Sequence, residues 1–168
     1  MDTLRTEASI IAFIQGKPLV LPMKSSGVFL LMLFFSLTWG RAQDGHLRWE
    51  DAQEMAEATQ RPILLVFQGS DWCAPCIKLD RRVWSTPVFK EHAKDRYILV
   101  KADFPRKKKN QLPAQLRQRN VQLAEAYNPR GIFPLVLLLD HGGRILGETG
   151  YLNIGPTEYV AHLNAMME

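Results

Sequence analysis

Trp72-Cys73-Ala74-Pro75-Cys76 contains the only two cysteines of the 168-residue chain, spaced as Cys-x-x-Cys. The run before it, Ile63-Leu64-Leu65-Val66-Phe67, is short, apolar and β-prone, and reads as a buried strand. The run after it, Ile77 to Trp84, has apolar spacing compatible with a helix. A Cys-x-x-Cys at such a junction places Cys73 at or beside a helix N-terminus. Unpaired backbone N–H groups and the helix dipole favour an anion there, so the Cys73 thiolate gains at neutral pH. Cys76 follows about one turn later, near enough to attack a mixed disulfide on Cys73. Pro75 suits the first helical turn, where its missing N–H costs little. The pattern points to thiol–disulfide chemistry. Two other readings stand beside it: a structural disulfide, which would close too small a loop to stabilise much, and a metal site, for which the four histidines, none adjacent to the motif, are a poor supply of further ligands.

Upstream of the strand, Trp49 to Gln60 places Trp49, Ala52, Met55, Ala56 and Thr59 on one helical face, with Glu50, Asp51 and Glu54 toward its start. This helix ends before Arg61-Pro62. Downstream, Ser85-Thr86-Pro87 breaks the pattern, and Ser85 or Thr86 caps a second piece carrying Val88, Phe89 and His92. Tyr97 to Asp103 is the next strand. The loop Phe104-Pro105-Arg106-Lys107-Lys108-Lys109-Asn110 follows, with four consecutive basic residues. It reads as a solvated loop or as a patch steering an acidic partner or a membrane headgroup surface. Leu112 to Tyr127 is helical, with Leu116, Arg119, Asn120, Val121, Leu123, Ala124 and Tyr127 on its inner face. Leu135 to Asp140, the turn His141-Gly142-Gly143-Arg144 and Ile145 to Glu148 form an antiparallel hairpin. Thr157 to Met167 closes the chain as a helix with Tyr159, Val160, Leu163 and Met166 apolar. No role falls to His46, His92, His141 or His162. The order helix–strand–helix–strand–helix–strand–strand–helix gives an α/β domain, its mixed central sheet covered by helices on both faces.

Trp72 to Cys76 after a buried strand resembles the active site of the thioredoxin superfamily. A second matching feature is Gly131-Ile132-Phe133-Pro134 leading into Leu135 to Asp140 and Gly142-Gly143; the resemblance implies a cis-proline at Pro134 beside the cysteines. Gly69-Ser70-Asp71-Trp72 and Asp103 to Lys109 are similar to secreted bacterial thioredoxin-family proteins, and the likeness runs from Trp49 to Glu168. It implies a thioredoxin-like fold and a redox-active Cys73–Cys76 disulfide, with Cys73 as nucleophile and Cys76 as resolving thiol. It also implies a substrate platform of Trp72, Ala74, Pro75, Phe133 and Pro134; from the scarcity of further ligands, no metal is expected. One departure stands out. Thioredoxins carry a buried aspartate in the strand before the motif, which assists proton transfer to the resolving cysteine, whereas Leu64-Leu65-Val66-Phe67 is wholly apolar. Asp71, Lys78 or water are the substitutes the sequence offers. The uncharged Ala-Pro dipeptide inclines the pair toward a reducing or intermediate potential; export inclines it the other way unless a membrane protein supplies electrons.

Composition is ordinary for a globular domain, 46% hydrophobic and 23% charged. Met23-Lys24-Ser25-Ser26, the apolar run Val28 to Phe35 and the small residues Gly40 and Ala42 read as a secretory signal peptide over 23–42; an uncleaved leader would act as an anchor. Residues 1–22 then read as an extension upstream of the true start at Met23, and 43–168 as one domain. Without Arg5, Lys17, Lys24, Arg41, Asp2 and Glu7, the chain from Gln43 has 17 basic and 15 acidic residues. That balance argues against nucleic acid as a partner. No glycine-rich nucleotide motif is present, so no cofactor is expected. The expectation is an exported, periplasmic or secreted bacterial thiol–disulfide oxidoreductase, monomeric, exchanging disulfides with protein thiols and drawing on a membrane electron donor if it is a reductase. The alternative is a binding or chaperone module that uses the fold and the basic loop with its cysteines idle.

Overall fold

The computed structural model describes residues 47–167. The expected extension over 1–22, the signal peptide over 23–42 and His46 lie outside the described residues. Chain order is α1 (Trp49–Thr59), β1 (Ile63–Gln68), α2 (Ala74–Leu79) running into a π-helical turn (Asp80–Trp84), α3 (Pro87–Arg96), β2 (Ile98–Asp103), a 3-10 turn (Lys108–Asn110), α4 (Ala114–Tyr127), β3 (Leu135–Leu139), β4 (Ile145–Thr149) and α5 (Pro156–Ala165). The strands form one mixed sheet in the order β2-β1-β3-β4. β1 runs parallel to β2 and antiparallel to β3, and β3 pairs antiparallel with β4. This is the thioredoxin-like α/β architecture.

The apolar run of β1 follows from its place. Side chains alternate across a strand, so a strand covered on both faces must be apolar at every position. Leu64 and Val66 join Leu99, Val136 and Leu138 against α2, α3 and α5, where Leu79, Trp84, Phe89, Tyr159 and Leu163 pack. Ile63, Leu65 and Phe67 join Ile98, Val100, Leu135, Leu137 and Leu139 against Ala52 and Ala56 of α1 and Leu123 of α4. All five apolar residues of β1 are fully buried, each worth about 1.5–3 kcal/mol relative to exposure. In the first layer Trp84 meets Phe89 and Tyr159 edge-on, at 4.6 and 5.2 Å between ring centroids, a favoured aromatic geometry.

Local signals set the element ends. Thr86 Oγ1 accepts the Phe89 N–H at 3.3 Å, with Pro87 starting α3, so of the two expected caps it is Thr86 that serves. Gln60 ends α1 in the left-handed region before Arg61-Pro62. The hairpin turns on Asp140, whose Oδ1 accepts the N–H groups of Gly142 and Arg144, and on Gly143 at φ 84.

Two expected core positions differ. Thr59 and Val121 are exposed, Val121 by 47%. The rest of the expected inner face of α4 holds: Arg119, Asn120 and Leu123 are buried, and Leu116, Ala124 and Tyr127 are half-buried. Arg119 donates to the Leu47 carbonyl and to Asn120 Oδ1, and Asn120 Nδ2 donates to the Asp103 carbonyl at 2.8 Å. Their polar atoms are therefore satisfied, which is what allows these two polar residues to be buried. The closing helix starts at Pro156 and ends at Ala165, slightly earlier at both ends than its apolar pattern suggests. No helix among the described residues is long and apolar enough to cross a membrane.

Candidate active site

β1 delivers the chain to a tight turn at its C-terminal end, where the Gly69 carbonyl accepts the N–H of Cys73 at 3.0 Å. Cys73 is the N-cap of α2, with Ala74 and Pro75 in the first turn. Its Sγ accepts the N–H of Cys76 at 3.3 Å. The two sulfurs are bonded at 2.09 Å with the Cα atoms 5.2 Å apart. Both cysteines are nearly buried, at 5% and 3% exposure, while Ala74 and Pro75 beside them face solvent. The N-cap position and the donated N–H both stabilise charge on Cys73 Sγ once the disulfide opens.

Trp72 is held from three sides. Its Nε1–H donates to the Phe104 carbonyl at 2.7 Å, the Phe133 ring meets it edge-on at 5.5 Å, and the Arg106 guanidinium carbon lies 3.7 Å from its ring centroid. Gly69 makes room for the indole: a Cβ there would sit 2.3 Å from Trp72 Cε2. Phe133 also meets Phe104 at 5.5 Å. Its peptide bond to the buried Pro134 is cis. Asn128 shapes this segment by accepting the Ile132 N–H at 2.9 Å and donating to the Ile132 carbonyl at 2.8 Å. Gly131 supplies a φ of 63 in the same turn.

The substitutes for a buried acid resolve differently. Asp71 is fully engaged: Oδ1 accepts the Arg106 N–H, and Oδ2 accepts the Lys107 N–H and Asn110 Nδ2, all at 2.9 Å. Those bonds, the Arg106 N–H foremost, hold its carboxyl below the usual carboxylate range. Lys78 is exposed. A carboxylate the sequence reading passed over, Asp80, shares with Cys76 a cavity of about 250 Å³, lined also by Gln68, Ser70, Ile77 and Arg81. Asp80 accepts from Lys101 Nζ and from Ser85 Oγ, each at 3.0 Å. Two signals could have found it. Asp80 follows Cys76 by four residues, hence lies on the same helix face, and Lys101 is a lone charge within an apolar strand run. Asp80 is thus a carboxylate that lines the same cavity as Cys76. Arg106 and Asp103 were also passed over as site residues; Asp103 accepts from the N–H and Oγ of Ser70, at 2.9 and 2.6 Å. The described residues hold no cluster of His, Cys, Asp and Glu that could bind a metal ion.

Comparison with known proteins agrees with this geometry. A family described as Thioredoxin-like matches residues 44–141. The disulfide bond reductase DsbH of Chlamydia pneumoniae is 33% identical over 126 residues, spanning 73% of this chain and 74% of that protein. The thioredoxin-related protein DsbJ of the same organism is 28% identical over 105 residues, 62% of this chain but 29% of its own length. A solved structure titled DsbH Oxidoreductase superposes with a TM-score of 0.67 at 31% identity, covering 72% of this chain and 82% of that one.

Proposed function

The chain belongs to the thioredoxin-like family, and from that premise we propose that it is an exported reductase of protein disulfides. It is a thiol–disulfide oxidoreductase; the direction, the export and the residue roles are our reading. The observation that carries it is Cys73 Sγ at the start of α2, accepting the Cys76 N–H with its partner sulfur in bonding range. In the dithiol form, the Cys73 thiolate attacks one sulfur of a substrate disulfide. A Cys73–substrate disulfide forms, and the first substrate sulfur leaves as a thiolate that takes a proton. Cys76 then loses its proton and attacks Cys73 Sγ; the Cys73–Cys76 bond forms and the second substrate thiol is expelled. Two electrons pass from protein to substrate; of the two protons the substrate thiols take up, one is that lost by Cys76 and the other comes from solvent, to which Cys73 gave its own on ionising. Trp72, Ala74, Pro75, Phe133 and Pro134 make the platform on which the substrate lies.

Reduction is favoured over oxidation by the uncharged dipeptide between the cysteines and by the likeness to a protein named as a disulfide bond reductase. Export is supported by the leader pattern over 23–42. A reductase working outside the cytoplasm needs a dithiol donor, so a membrane protein supplies the electrons; the enzyme acts as a monomer. Equilibration with glutathione tests the direction: the reading expects a potential near about −250 mV or lower, and a value near about −150 mV would mark an oxidase instead. Cys73→Ser should cut insulin-disulfide reduction by at least about 10³-fold. Unchanged turnover would remove the assignment and leave a binding module.

A further inference from the structure

The four consecutive basic residues of the Arg106–Lys109 loop are not a freely waving surface segment. The backbone N–H groups of Arg106 and Lys107 and the side chain of Asn110 all donate to Asp71, one residue before Trp72. At the other end of the loop, Phe104 accepts the Trp72 Nε1–H through its carbonyl. Next to it, Asp103 holds Ser70. Arg106 lies over the indole that precedes Cys73. The loop is thus fixed to the lip of the disulfide, and its fixing uses backbone N–H groups and an asparagine. The three lysine side chains are left over, and Arg106 is engaged only through its stacking on Trp72. All four are exposed, and none enters an ion pair among the described residues.

Charges held in fixed positions beside a reactive centre act differently from charges on a mobile tail. Asp71 and Asp103 offset half of this positive charge, but both face inward onto loop and turn donors. The domain as a whole is nearly balanced, so the field is local to this lip. We infer that the Arg106–Lys109 loop is a substrate-selecting surface: it draws in protein disulfides flanked by acidic residues and seats those residues beside Trp72. The inference rests on the oxidoreductase reading and adds to it the chemistry of the preferred substrate. A membrane surface is the weaker match. Residues 106–111 carry no apolar side chain that could enter a bilayer, and Phe104 is turned inward onto Phe133.

The test uses the reduced protein and three synthetic peptides, each with one disulfide, flanked by glutamates, serines or lysines. Second-order rate constants are measured at low and high salt. The glutamate peptide should react about tenfold faster than the serine peptide at low salt, and the advantage should collapse at high salt, as steering by fixed charge does. Substituting Lys107→Ser, Lys108→Ser and Lys109→Ser together should remove most of that preference. Lys107→Glu, Lys108→Glu and Lys109→Glu together should transfer it to the lysine peptide, a gain that damage to the fold could not produce. Equal rates for the three peptides, or a preference that the substitutions and salt leave intact, would overturn the inference. So would equal peptide rates accompanied by binding to phosphatidylserine vesicles that the serine substitutions abolish, which would make the loop a membrane contact. If the serine peptide is reduced normally, the oxidoreductase reading stands whatever becomes of the loop. If no peptide is reduced, both fall.

Discussion

The two walls of the disulfide site are built on opposite terms. One is the loop from Phe104 to Asn110, the other the segment Ile132-Phe133-Pro134 leading into β3. The loop is fixed mainly through its backbone, by N–H groups on Asp71 and the Phe104 carbonyl on Trp72; its three lysine side chains are exposed, and only Arg106 among its charges lies over Trp72. The opposite wall also has a fixed backbone, through Asn128 on Ile132, but its side chains are spent on packing: Phe133 against Trp72 and Phe104, Pro134 buried. One wall can change its charges without changing shape. The other cannot change a side chain without changing shape. Recognition by charge and recognition by apolar contact are therefore separable here, although Trp72 touches both walls and Phe104 meets Phe133 across them.

The largest disturbance to that division is at Gly69. In Gly69→Ala the new Cβ would stand 2.3 Å from the indole, so Trp72 must leave its seat between the walls. A cost of about 1–3 kcal/mol is expected, read by denaturant unfolding. Reduction of all peptides should slow whatever their charge, because both walls lose their common support. Normal stability together with an unshifted tryptophan fluorescence would show that the seat is looser than its contacts imply. Phe133→Ala breaks one wall alone. Phe133 is half-buried, so its cost falls below the range for fully buried aromatics, at about 1–2 kcal/mol. KM should rise for acidic and neutral peptides by the same factor. A selective loss of the acidic peptide would mean that the two walls do not act separately.

Much of this was legible in the sequence because it is local. The apolar run of β1 has one explanation, burial on both faces, and it fixes the centre of the sheet. Cys-x-x-Cys between a strand and a helix fixes the N-cap. Gly142-Gly143 between two β-prone runs fixes the hairpin. What was not legible depends on partners far along the chain. Spacing alone places Val121 beside Arg119 and Asn120 on the inner face; that Val121 is exposed while Arg119 and Asn120 are buried depends on the Leu47 and Asp103 carbonyls that accept from them. Asp80 looks like a surface acid on a helix until Lys101, from a neighbouring strand, is placed against it. Asp71 adjoins the motif in sequence, but its partners lie 35 to 39 residues away. No periodicity or propensity carries that information.

Asp71 also gives the smallest effect that can still test the comparison, because it anchors one wall and not the other. Its carboxyl is held below the ordinary value of 3.8, first by the Arg106 N–H and then by Asn110 and the Lys107 N–H. The unfolded chain therefore takes up a proton at a higher pH than the folded one. The contribution of Asp71 is complete above 3.8, falls as pH drops below it, and is gone once pH has passed through the lowered folded value. Asp71→Asn has no charge to titrate, and its amide nitrogen would face an N–H donor where an acceptor is needed. The variant should melt lower than wild type at neutral pH, and the two curves should converge as pH is lowered through this window. Exchange of the Arg106 and Lys107 amides with solvent should quicken by about two- to tenfold, as one lost hydrogen bond permits. The Ile132 amide, anchored by Asn128 on the other wall, should exchange at its former rate. Quickening at both walls would mean that the loop and the apolar segment open as one unit. Parallel pH curves for variant and wild type would mean that the carboxylate does not anchor the loop through its charge.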